Sequence, residues 1–237
     1  MNFKELGNTD INVSEICLGS MTWGTQNDFS DARTQINLAV EHGVNFVDTA
    51  ELYPTTPLSA ATQGETETII GRYMAEQKCR NNLIVATKVG GSGVSHLRSG
   101  SRITPETISQ ALDQSLTRLR TDYIDLYQLH WPNRGHYHFR KSWKYNPQAI
   151  DVTAHHQEVS DLLSILQKHI DQGKIRAIGL SNETAWGTAS FLKVSESKNL
   201  PRVVSIQNEY SLLCRWFDLD LAELSIYEDV GLLAYSP

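Results

Sequence analysis

The sequence predicts an α/β barrel, and two patterns carry the prediction. Six apolar runs that read as strands each stop on a polar residue able to do chemistry, and stretches of helical period lie between them. Strands alternating with helices imply βαβ units and a parallel sheet. Polar groups gathered at one end of parallel strands describe the catalytic face of a barrel.

The chain opens on two short strand signals, residues 3–6 and 11–13, around Gly7-Asn8-Thr9-Asp10. Those turn residues mark a small hairpin ahead of the barrel proper. Glu15-Ile16-Cys17-Leu18 follows as the first core strand. Residues 44–47 then run to Asp48, 83–87 to Lys88, 124–129 to His130, 175–180 to Ser181-Asn182, 203–206 to Gln207 and 232–234 to Tyr235-Ser236. Between the strands, Thr104-Pro105-Glu106 supplies a capping hydroxyl, a first-turn proline and an early acid ahead of Ile108, Leu112, Leu116 and Leu119 on one face. Leu162, Leu163, Leu166 and Ile170 form a second apolar face, and Gly173 ends that helix. Helical period also fits residues 30–42, 65–78, 183–197 and 219–229.

At 237 residues with 40% hydrophobic and 20% charged composition, one large core is expected, hence a single domain over 1–237. The net charge of −6 speaks against nucleic acid or an anionic membrane as partner and in favour of a small molecule. Cys17, Cys79 and Cys214 are scattered without metal or disulfide spacing. No leader pattern opens the chain and no run approaches ~18 apolar residues, so a cytoplasmic location is expected.

Two connections exceed ordinary turns. Residues 89–103 are rich in Gly and Ser, and residues 131–158 mix Trp131, Tyr137, Phe139, Trp143 and Tyr145 with Arg134, Arg140, Lys141 and Lys144. The second reads as a lid over a pocket. Its His136, His138, His155 and His156 read as solvated loop histidines, since no carboxylate or thiolate completes a metal site. After Gly90-Gly91-Ser92-Gly93 no third glycine opens a helix and no acid sits at the later position that a dinucleotide fingerprint requires.

Asp48, Tyr53, Lys88 and His130 form the candidate catalytic set. A phenol titrates near pH ~10, so Tyr53 needs help to exchange protons at neutral pH. A lysine ammonium beside it favours the phenolate, a carboxylate such as Asp48 orients that ammonium, and His130 can polarise a carbonyl oxygen.

Seven segments together resemble the aldo-keto reductase family, most closely its bacterial Tas-type members: Leu18-Gly19-Ser20-Met21-Thr22-Trp23-Gly24, Asn45-Phe46-Val47-Asp48-Thr49-Ala50-Glu51-Leu52-Tyr53-Pro54, Ala86-Thr87-Lys88-Val89, Leu129-His130-Trp131-Pro132, Gly179-Leu180-Ser181-Asn182-Glu183, Ile206-Gln207-Asn208 and Leu233-Ala234-Tyr235-Ser236. The resemblance implies a (β/α)8 TIM barrel that reduces aldehydes or ketones with NADP(H) and no metal. Carried over, Tyr53 is the general acid, Lys88 and Asp48 its tuning pair, and His130 the group that orients substrate. Ser181, Asn182 and Gln207 match holders of the nicotinamide carboxamide, and Tyr235 matches the ring beneath the nicotinamide. Ser20, Met21, Asp48 and Ser236 complete the cofactor set.

The departure lies at the end. Seven core strands are counted before Pro237, so the eighth strand, and the later elements that grip the cofactor phosphates in the family, are missing from this sequence. An open seam is expected to drive self-association or to accept a C-terminal fragment. The alternatives to a working reductase are a cofactor-sensing regulatory subunit and an inactive remnant.

Overall fold

A computed structural model describes residues 1–237. β1 (Phe3–Glu5) and β2 (Asn12–Ser14) pair antiparallel as the expected hairpin. Seven parallel strands follow in chain order across one sheet: β3 (Cys17–Gly19), β4 (Phe46–Asp48), β5 (Ile84–Val89), β6 (Ile124–Leu129), β7 (Ile175–Ser181), β8 (Val203–Glu209) and β9 (Gly231–Tyr235). The helices are α1 (Phe29–Glu41), α2 (Glu65–Gln77), α3 (Pro105–Leu119), α4 (Val152–Asp171), α5 (Ala185–Lys198) and α6 (Leu221–Tyr227). Together they make an incomplete (β/α)8 barrel with an N-terminal hairpin.

Period-two alternation divides the core. Val47, Val85, Tyr127 and Ile178 face outward into a cluster with Ile70 of α2, Leu112 of α3, Leu163 of α4 and Leu192 of α5. Phe46, Ala86, Leu126 and Ala177 face the other way, into the barrel, where Leu6, Ile11 and Val13 of the hairpin meet them. The hairpin therefore plugs one mouth of the barrel. Gly7 permits this close approach: it sits at φ 56°, and a Cβ there would run into the Val204 carbonyl.

Strands extend further than the apolar runs suggest, because the ladder continues through polar residues. Lys88 pairs in register with Gln128, and Gln207 with Ser181. Helix α4 starts well before its apolar stripe, since the Asp151 side chain accepts from the Ala154 amide as an N-cap. The long connection after β6 therefore ends at residue 151, and His155 and His156 belong to the helix and not to a lid.

β3 and β9 are the edge strands, each with one neighbour. Near β9, Leu219, Ile226 and Tyr227 are exposed, and Ile16 is exposed beside β3. Unpaired edges beside apolar surface invite association. Sedimentation of this polypeptide over a range of concentrations is expected to show self-association, or its relief by an added fragment that pairs with both edges. A concentration-independent monomer that binds no hydrophobic dye would contradict that expectation. No helix is long and apolar enough to cross a membrane.

Candidate active site

The alternation that puts Phe46, Ala86 and Leu126 inside the barrel also puts Asp48, Lys88 and Gln128 there, two residues further along each strand. Lys88 is fully buried and donates from Nζ to Asp48 Oδ2 at 2.6 Å and to the Thr49 carbonyl at 2.8 Å. Asp48 Oδ1 accepts from Gln207 Nε2 at 2.9 Å and from Gln128 Nε2 at 3.2 Å. The buried carboxylate is thus both paired and hydrogen-bonded, as burial of a charge requires. Gln128 was not singled out from the sequence. It sits two positions before His130, and the same alternation identifies it as an inward-facing group.

Tyr53, on the segment after β4, stands over this pair. The Lys88 ammonium lies 4.9 Å from its ring centroid, and the His130 ring meets it edge-on at 5.8 Å. Burial pushes the Tyr53 hydroxyl above its ordinary pKa, while the Lys88 charge pulls it down. The net direction is upward. Lys88 acts as the sequence suggests, but burial outweighs it, and Tyr53 stays protonated at neutral pH. Burial, assisted by Lys88, holds His130 well below the usual imidazole range, so this ring is neutral. Its Nδ1 is buried without a partner.

The cofactor candidates converge on the same end of the sheet. Ser181 Oγ donates to the Gln207 carbonyl at 3.0 Å, and Asn182 Nδ2 donates to the His130 carbonyl at 3.0 Å. Tyr235 donates its hydroxyl to Asn182 Oδ1 at 2.7 Å, which fixes the ring at the end of β9. Ser20 is buried and donates to the Asp48 carbonyl at 2.6 Å, joining β3 to β4. Met21 is half exposed, and Ser236 is exposed beyond β9.

Two further buried ion pairs shape the surroundings, and neither shows in the linear pattern, because their partners lie about fifty residues apart. Glu51 takes both Arg98 and the Gly90 amide, tying the Gly-rich segment to the end of β4. Glu183 takes Arg134 bidentately, and its carbonyl is bonded by His138 and Asn208. That pair anchors the loop after β6.

His136, His138 and His155 are buried, contrary to the solvated histidines expected. They pack against aromatic neighbours, His136 on Phe139, His138 on Tyr137 and His155 on Trp186. Burial, with nearby cations, lowers His136 and His155 to about 4. A depressed folded-state pKa means that the unfolded chain binds more protons between about 6.5 and 4. Stability should therefore fall as pH drops through that window. Urea midpoints measured across it should fall less steeply in H136N/H155N, and an identical slope would contradict the assignment.

A strand-end cluster of tyrosine, lysine, aspartate and histidine, ringed by amide side chains, defines an oxidoreductase-type barrel site. The chain belongs to the aldo/keto reductase family: the model of that family matches residues 15–237. Protein tas of Escherichia coli (strain K12) is 43% identical over 242 residues, covering 100% of this chain and 68% of that protein. The uncharacterized oxidoreductase YrpG of Bacillus subtilis (strain 168) is 28% identical over 244 residues, covering 100% of this chain and 66% of its own length. Among solved structures, the thermostable aldo-keto reductase Tm1743 in complex with the inhibitor epalrestat superimposes with a TM-score of 0.73 at 28% identity, over 100% of this chain and 73% of that one. The chain thus spans about two thirds of the length of these sequence relatives. Oxidoreduction of carbonyls is the chemistry of the class.

Proposed function

We propose that the protein reduces aldehydes or ketones with NADPH, with Tyr53 as the proton donor. One observation carries this reading: a protonated, buried phenol lies between a buried Lys88–Asp48 pair and a neutral His130, at the strand ends that also carry Asn182, Gln207 and Tyr235. These residues suit the nicotinamide half of the cofactor. Asn182, Gln207 and Ser181 present amide and hydroxyl groups fit for a carboxamide, and Tyr235 offers a fixed aromatic face. Bound NADPH would supply hydride to the carbonyl carbon.

The protein's own groups do the rest. Tyr53 gives its proton to the carbonyl oxygen as negative charge develops there, and the Lys88 ammonium stabilises the phenolate left behind. Asp48 keeps that ammonium charged and aimed, held in turn by Gln128 and Gln207. Neutral His130 donates a hydrogen bond to the same oxygen. Asp48, Tyr53, Lys88 and His130 are all buried, and the low local dielectric strengthens each of these interactions.

Steady-state assays with an aromatic aldehyde, NADPH and NADH test the reading. Aldehyde-dependent oxidation, faster with NADPH, is the expected result. Cofactor binding without turnover would replace catalysis with cofactor sensing, and neither binding nor turnover would mark the 237-residue chain as inactive.

A further inference from the structure

A cavity of about 630 Å³ lies between the 89–103 segment and the loop after β6, lined among others by Val94, Trp131, Phe139, Tyr145, Lys141 and Lys144. That volume falls within the range of small-molecule sites. Its inner wall is shared with the catalytic cluster, since Val94 and Trp131 pack against the group that contains Tyr53. Aromatic rings continue outward from there. The His130 ring lies against Trp131 at 4.8 Å with the planes tilted by 41°, Trp131 meets Phe139 edge-on at 6.3 Å, and the Lys141 ammonium lies 5.8 Å from the Phe139 centroid.

The charge at the outer end is one-sided. Residues 131–150 carry Arg134, Arg140, Lys141 and Lys144 and no aspartate or glutamate, within a chain of net charge −6. Arg134 is committed to Glu183, and Arg140 reaches Glu209 at 3.5 Å. Lys141 and Lys144 pair with no carboxylate, and no acidic residue lines the cavity. His136, also in the lining, is neutral and adds no charge. Two free ammonium groups at the mouth of an aromatic cavity match an anion carried on a flat apolar body.

We propose that this cavity is the outer substrate subsite, and that it selects carbonyl compounds whose aromatic body carries a carboxylate at the end remote from the carbonyl. The inference rests on the reductase reading above. The carbonyl enters toward Tyr53 and His130, the aromatic body lies along Trp131 and Phe139, and the carboxylate meets Lys141 and Lys144. Both lysines are exposed, so each pair contributes modestly and is screened by salt.

The test compares 4′-formylbiphenyl-4-carboxylate with its methyl ester. Binding to the cofactor-free chain is measured by calorimetry, and turnover is measured with NADPH. The carboxylate should bind about tenfold more tightly than the ester, the combined effect expected of two exposed ion pairs. That preference should shrink as salt rises from about 0.01 to 0.15 M, vanish in K141Q/K144Q and reverse in K141E/K144E. Equal binding of the two probes, or a preference that survives K141Q/K144Q, overturns the subsite. The binding arm needs no cofactor, so the two readings fail separately. Lysine-dependent carboxylate preference without reduction keeps the subsite and sinks the reductase, while equal reduction of both probes does the opposite.

Discussion

Replacing Tyr53 by phenylalanine is expected to lower carbonyl reduction by about 10²- to 10⁴-fold, the range typical of a lost general acid. The change removes one oxygen and leaves the ring, which packs with Leu52, Leu97, Val94 and Trp131. Fold and cofactor binding should survive, so the loss should fall on kcat and not on the affinity for NADPH. Activity near that of the unaltered protein would remove Tyr53 from the mechanism.

Replacing Lys88 by methionine should be as harmful to turnover and should also damage the fold. Lys88 is fully buried, and its ammonium is the one cation in contact with the Asp48 carboxylate. Removing one partner of a buried pair costs about 3–5 kcal/mol, because the other charge is left uncompensated. Two glutamine amides would remain on Asp48, which places the loss toward the lower end. Against a total stability of about 5–15 kcal/mol, such a loss is readily measured by urea unfolding. Adding Asp48→Asn removes the stranded charge, so the double variant should be more stable than K88M alone. A double variant with the sum of both single losses would show that the two residues are not coupled.

The pair also sets a pH dependence. Burial pulls the Lys88 pKa down, but Asp48 and Tyr53 pull harder, and the net direction is upward. A raised lysine pKa contributes stability fully present below the unfolded value of about 10.4 and lost as pH rises through the higher folded value. The Lys88 contribution is therefore constant across neutral pH and fails only in alkali.

The barrel was legible because its signals are local. Each strand is a short apolar run closed by a polar residue, and Thr104-Pro105 announces α3 within three positions. The catalytic set was legible for the same reason, since Asp48, Lys88 and His130 each mark a strand end and Tyr53 follows one closely. Gln128 was hidden inside an apolar run that reads as core until its inward direction is known. The Glu51–Arg98 and Glu183–Arg134 pairs were invisible, because nothing in a linear pattern joins residues that only the assembled sheet and folded loops bring together. The start of α4 is hidden in the sequence because residues 152–158 carry little apolar stripe, and the helix there rests on the Asp151 cap and on His155 against Trp186. Burial of His136 and His138 follows from aromatic contacts made within the loop after β6. The upward shift of Tyr53 also needed the structure, since only three-dimensional packing decides whether burial or the neighbouring lysine prevails.

Isotope tracing follows hydride transfer to a carbonyl carbon at this cluster. The protein is mixed with NADPH deuterated at the transferring position of nicotinamide C4 and with an aromatic aldehyde, and the product alcohol is examined by NMR. Deuterium on the carbinol carbon, formed by the unaltered protein and nearly absent with Tyr53→Phe, is the predicted result. An alcohol without deuterium, or no alcohol at all despite bound cofactor, would rule out hydride transfer at this cluster.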